Sequence, residues 1–289
     1  MKQALIVLLL LMIVVNNLDA VEKPVRLVTP KMTNEAPAAG KRVRQVAPEY
    51  KGTNVFHSLY LPSDWKVGKK FPVIVEYTGN RWPPSGSTGK VEHGNLGYGL
   101  SGGVGYIWVV LPCVDKRNKR NSVRWWGDLQ ATLDYCKTNV PRICKDFGGD
   151  SDNVILCGFS RGAIAANYLG LADDEIAKLW KGFVTHDHYD YVFRVSDKAS
   201  ALTRLKRLGD RPQLICSALG TEKTRRHLKK HIKLDKITFL DVPVSKLFKI
   251  PEGKVVHPHT DLWMHIDSPY RKKARGWLKK VVSKKAGKP

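Results

Sequence analysis

The stretch Asp152-Asn153-Val154-Ile155-Leu156-Cys157-Gly158-Phe159-Ser160-Arg161-Gly162-Ala163-Ile164-Ala165-Ala166-Asn167 limits most severely what this chain can fold into. Val154 to Cys157 is an apolar run long enough for a buried strand. It meets Gly-Phe-Ser-Arg-Gly, after which small and apolar residues continue at helical spacing to Leu171. The pattern reads as strand, tight turn and helix, with a serine at the turn. In such a G-x-S-x-G turn the serine backbone is held in a strained elbow that lifts its hydroxyl above the sheet, and the two glycines provide room. The plain alternative is an ordinary strand-to-helix turn that contains a serine, so the flanking chain must decide.

The flanks alternate in kind. Val55–Pro62 reads as an early antiparallel strand, Phe71–Tyr77 as a central strand and Ile107–Pro112 as another buried one. Asp128 is placed to cap a helix running towards Cys136. Beyond the elbow, strands are expected at 182–185, 213–217 and 236–241, with helices at 198–208 and 224–233. Leu262, Trp263, Ile266, Trp277, Leu278, Val281 and Val282 suggest a closing helix. Strands alternating with helices imply an α/β fold with a mostly parallel central sheet and helices on both faces. Between the strands, Gly79–Tyr106 is a long Gly-rich loop, and loops of that length tend to be functional.

The N-terminus has a different character. Met1-Lys2 followed by the apolar run Ala4–Val15 and the small Ala20 looks like a secretory signal over residues 1–20, too short to span a bilayer comfortably. An uncleaved anchor is the alternative. Residues 21–48, rich in Pro, Lys, Ala and Thr and without periodicity, read as a linker or loosely packed arm. One domain then covers 49–289, in a chain expected to be secreted or periplasmic with no transmembrane segment once the signal is cleaved. Of five cysteines, Cys113, Cys157 and Cys216 fall in strand-like runs, and Cys136 with Cys144 is the best candidate disulfide. The formal net charge of +23 favours anionic surroundings such as acidic polysaccharide. No nucleic-acid-binding motif is present, so a dedicated nucleic-acid role is not expected.

A serine hydroxyl is a weak nucleophile until a base sits within hydrogen-bond reach. On this kind of sheet the partners should follow in the order serine, acid, histidine. His259, after the last strand, is the expected base, with His257 in reserve and His265 placed on a helix surface. Glu222, after the penultimate strand, is the expected acid. Asp187 and Asp190, one strand earlier, compete with it. An anionic intermediate needs preorganised N–H donors, here the backbone amides of Arg161 and Asn80. Trp82 and Tyr98 in the long loop are candidates for the pocket wall. The pairs His186/His188 and His257/His259, with Asp187, Asp190 or Asp261, allow a rival zinc site, but a metal beside an elbow serine is redundant, so no metal is expected.

On Gly158–Gly162, Tyr77-Thr78-Gly79-Asn80 and His259-Thr260-Asp261-Leu262-Trp263 the chain resembles the α/β-hydrolase superfamily, and among its members exported bacterial esterases, from about Val55 onward. The resemblance implies ester hydrolysis through an acyl-enzyme at Ser160 with no cofactor. It departs at the acid, where members usually carry Asp and this loop reads Gly-Thr-Glu-Lys-Thr. A catalytically silent, basic binding module for anionic glycans on the same fold is the other reading, and a metal-dependent hydrolase the third.

Overall fold

The computed structural model describes residues 26–124, 126–190, 192, 198–249 and 259–283. The expected signal segment 1–20 and His257 lie outside the described residues. Nine strands form one sheet: β1 (Met32–Thr33), β2 (Arg42–Gln45), β3 (His57–Tyr60), β4 (Phe71–Tyr77), β5 (Ile107–Val110), β8 (Gly149–Phe159), β9 (Gly182–His186), β10 (Gln213–Ser217) and β11 (Ile237–Asp241). A separate hairpin pairs β6 (Cys113–Asp115) with β7 (Arg120–Ser122). The strand order is β1-β2-β3-β5-β4-β8-β9-β10-β11. Only β3 runs antiparallel to its neighbours; every other adjacent pair in this sheet is parallel.

Side chains alternate across the central strands with period two, and both faces are dry. Val73, Val75, Leu156 and Phe183 face α2 (Leu129–Phe147) and α3 (Arg161–Tyr168) in one core. Ile74, Trp108, Ile155, Cys157 and Val184 face α1 (Leu96–Ser101), Trp263 and α8 (Pro269–Ser283) in the other. This double burial explains why the middle strands read as nearly unbroken apolar runs. Asp128 caps α2 as expected, accepting from Ala131 N at 2.9 Å. The remaining helices are α4 (Asp174–Ala177), α5 (Lys198–Leu208), α6 (Glu222–Lys229) and α7 (Val244–Leu247).

Three expectations are corrected. The described part of 21–48 is not a loose arm but the edge of the sheet, and Leu27 N donates to His265 O at 3.0 Å. Its anchor is the buried Arg42, which donates to Ser58 Oγ, Glu92 O and Val91 O and lies 4.5 Å from the Trp108 ring centre. A single buried guanidinium leaves no trace in hydrophobic periodicity, which is why the stretch reads as linker. Cys136 and Cys144 do not pair: both lie on α2, which continues through Pro141, and eight residues of helix separate them by about 12 Å, far beyond disulfide reach. His265 is 1 % exposed rather than on a surface, its ring nitrogens 3.0 and 2.9 Å from Leu27 O and Asn95 O. Among the described residues no helix is long and apolar enough to cross a membrane.

Candidate active site

β8 runs straight into the turn, and Ser160 adopts φ 55° and ψ −119° before α3 begins. A non-glycine residue in such a conformation carries strain of about 1–3 kcal/mol, held in place by what surrounds it. The restraints are visible. Ser160 N donates to His186 O at 3.0 Å, and its own carbonyl accepts from Ala163 N and Ile164 N. A Cβ on Gly158 would lie 2.0 Å from Gly162 O, and one on Gly162 would lie 1.9 Å from Tyr77 O. Both glycines are therefore steric requirements of the turn. Gly79 closes the other side, since a Cβ there would lie 3.2 Å from Ser160 Cβ.

Asp187 directly follows β9, which is the sheet neighbour of β8, and it takes φ 73°. Its Oδ2 lies 2.7 Å from His259 Nδ1, and its Oδ1 accepts from Ala218 N at 2.7 Å. Burial pushes the carboxyl up, but His186, His259 and the Ala218 amide outweigh burial and bring its pKa down to about 2. An ionised Asp187 fixes the proton of His259 on Nδ1 and leaves Nε2 as the basic atom. The His259 ring is wedged against Phe159 (4.6 Å between centres), His188 (5.1 Å) and the edge of Trp82 (5.7 Å). Burial first, then His259 and Arg161, lowers the His188 pKa to about 4, so this ring is neutral at pH 7. Behind the dyad, Trp263 Nε1 donates to His186 Nε2 at 3.1 Å, and desolvation lowers the pKa of that histidine too.

Glu222, the expected acid, is not beside His259. It opens α6 with its side chain 65 % exposed, near Arg225 and Arg226. Asp190 is committed to a different partner, Arg204 Nε, which donates to it at 2.9 Å. Of the three carboxylates, Asp187 is the one that lies beside His259. Arg161 opens α3, where backbone amides point out of the helix, and Asn80 lies in the turn after β4, held by Ser87 Oγ donating to its carbonyl at 2.7 Å. Trp82 is at the site, but Tyr98 is not. It lies on α1, half-buried, and packs against Tyr60, Trp108 and His265, where loop position alone misplaced it. The sequence singles out His186 as one of a possible zinc-ligating pair and Trp263 as part of the His259–Trp263 stretch, but nothing in it shows that the two side chains meet. Among the described residues, no group of three or more His, Cys, Asp or Glu side chains is arranged to hold a metal ion.

No family model matches the chain, and no curated protein matches it by sequence. Solved structures do. A thermostable esterase superposes with a TM-score of 0.52 at 16 % identity, over 83 % of this chain and 62 % of its own. The isopeptidase AtxE2 gives 0.52 at 14 % identity, over 86 % of this chain and 41 % of its own. DcsB, solved with a substrate analogue, gives 0.50 at 13 % identity over 84 % and 99 %. The chain thus spans less than two thirds of the esterase and of the isopeptidase. With the strand order, the elbow at the end of β8 and these likenesses together, the chain has the α/β-hydrolase fold.

Proposed function

We propose that this chain is a serine hydrolase that cleaves carboxylic esters through an acyl-enzyme on Ser160. The observation that carries the proposal is the 2.7 Å contact between Asp187 and His259 beside the strained Ser160 turn. His259 Nε2 takes the Ser160 proton as Oγ attacks the ester carbon, and Asp187 stabilises the resulting imidazolium. Arg161 and Asn80 amides receive the oxyanion; losing one such donor costs about 3–4 kcal/mol of barrier. The alcohol leaves with the proton from His259. Water then repeats the cycle, giving its proton to His259 and its oxygen to the acyl carbon, and Ser160 is released. No step calls for a cofactor.

The net charge of +23 supports an anionic, acylated polysaccharide as substrate, and the apolar segment 4–15 supports export to the outside of the cell or the periplasm. A fluorophosphonate probe should label the protein at Ser160 and fail on Ser160→Ala, and short-chain aryl esters should be turned over with the same dependence. Absence of both labelling and turnover in the folded wild type would overturn the hydrolase reading.

A further inference from the structure

Residues 223–236 carry seven Lys or Arg side chains and a single Asp. The inward side of α6 is taken up by the fold, with Leu228 and Thr224 both buried. The basic residues are left outside, three and four positions apart, so Lys223, Arg226, Lys229 and Lys230 come up on neighbouring turns. With His227 they line an open depression of about 650 Å³, and no carboxylate is among its described lining residues. A second depression of about 470 Å³ shares Lys229 and adds Arg225 and Lys233 to the row, with Asp235 as an acid in its wall. Like charges at such spacing repel one another, and a bound anion would offset that repulsion.

Little of this charge is neutralised internally. Glu222 lies 3.8 Å from Arg225 and 3.5 Å from Arg226, and Asp235 lies 3.7 Å from Lys236. Among the described residues, Lys229, Lys230 and Lys233 form no ion pair. The surface therefore fits an anion, and its extent across two depressions fits a chain of anionic groups better than a single one. Its other features narrow the polymer. Single-stranded nucleic acid is held on aromatic rings against which bases stack, and neither depression is lined by Phe, Tyr or Trp. The nearby Phe239 ring is covered by the Arg225 guanidinium at 4.1 Å. An amphipathic helix on a lipid surface buries its apolar face in the headgroup boundary, and here Leu228 is already in the core. An acidic polysaccharide needs neither feature. Its carboxylates are spaced along a hydroxyl-rich chain and can meet cations that recur about every 5.4 Å, once per helical turn. The chain also enters α6 from the sheet edge that carries the candidate site, because β10 ends at Ser217 and Ala218 N donates to Asp187 Oδ1.

We propose that the outer face of α6 and the turn after it, from Lys223 to Lys233, form a docking surface for an acidic polysaccharide, separate from the Ser160 turn. The inference rests on the ester-hydrolase reading only for the polymer being a substrate, not for the binding itself. Binding is therefore measured first, by calorimetry with polygalacturonate on Ser160→Ala protein, which needs no turnover. Lys229→Gln, Lys230→Gln and Lys233→Gln combined should weaken binding about ten-fold, through the loss of three exposed ion contacts. Lys273→Gln, Lys279→Gln and Lys280→Gln combined remove the same charge from α8 and should leave binding within about two-fold. Raising salt from about 20 mM to about 0.5 M should abolish the difference between the two. Thermal melts confirm that both variants fold. With Ser160 restored, the α6 variant should raise KM for acetylated polygalacturonate about ten-fold. It should leave kcat/KM for the uncharged 4-nitrophenyl acetate within about two-fold. No polygalacturonate binding by the parent, or equal loss in the α6 and α8 variants, overturns the docking surface. Duplex DNA or phosphatidylserine vesicles bound more tightly than polygalacturonate, with the same dependence on α6, overturn the polysaccharide as partner. Binding that depends on α6 in a protein that turns over no ester keeps the surface and rejects the hydrolase reading alone.

Discussion

Asp187 and Glu222 are both carboxylates placed shortly after a strand, yet their surroundings differ completely. Asp187 is 4 % exposed and bonded to His259 Nδ1 and Ala218 N, whereas Glu222 faces solvent and two arginines. Asp187→Asn should therefore reduce kcat by about 10³–10⁴-fold, because an amide presents the wrong hydrogen-bonding partner to Nδ1–H and disturbs the tautomer. Glu222→Gln should leave kcat within about two-fold, since an exposed ion pair contributes little. Steady-state rates on an aryl ester separate the two, and the reverse ranking would return the acid to α6. The Ser160 turn and the His259 loop could be read because each follows a local pattern, a strand-turn-helix and a post-strand stretch. The carboxylate that meets His259 could not. Which carboxylate meets a histidine 72 residues away depends on how β9 and the 259–261 loop come together, and neither stretch encodes that by itself. Tyr98 and His265 failed for a related reason: residues of amphipathic type read as surface or pocket until the packing around them is known.

At the level of elements, the elbow is set by backbone approach rather than by side-chain packing. Gly162→Ala would put a methyl group 1.9 Å from Tyr77 O, and Gly158→Ala one 2.0 Å from Gly162 O. Neither contact can be relieved by rotating a side chain, because the obstructing atoms are backbone. Each substitution should destabilise by about 3 kcal/mol or more, read as a lower urea midpoint, with loss of fluorophosphonate labelling. Gly276 is the contrasting case. It sits inside α8, and a methyl group added there would meet nothing within 4 Å, so Gly276→Ala should stabilise by about 0.5–1 kcal/mol through helix propensity. A loss of stability there, or tolerance at Gly162, would contradict this account of the two glycines. Most strand and helix positions could be read from period and run length, because β4, β5, β8, β9 and β10 are buried on both faces. The edge strands β1 and β2 could not: they are short, and a buried Arg42 holds them where an apolar residue would have given a signal.

For the whole molecule, sensitivity to acid follows from groups buried in their uncharged or paired states. His57 is 4 % exposed, with Nδ1 2.8 Å from the Tyr135 hydroxyl, and burial, reinforced by Arg142, lowers its pKa from 6.5 to about 4. Between those values the unfolded chain binds a proton that the folded chain does not. Stability is therefore complete above pH 6.5 and falls as pH drops towards 4, by on the order of 3 kcal/mol for this one group. His186, His188 and His265 are shifted in the same direction and add to the slope. Asp187 acts in a lower window. Its pKa falls from 3.8 to about 2 on folding, so its contribution is present above pH 3.8 and disappears as pH falls through 2, on the order of 2 kcal/mol. A chain already at +23 gains more positive charge throughout this descent, and self-repulsion steepens it. Urea unfolding at a series of pH values should show stability declining from about pH 6.5, well above the range in which ordinary carboxylates titrate. His57→Gln should start from lower stability at pH 7 yet decline less between pH 6.5 and 4. A wild-type profile flat across that interval would mean that the buried imidazoles are free to take up protons, and that the core around His57 is looser than its contacts with Tyr135 require.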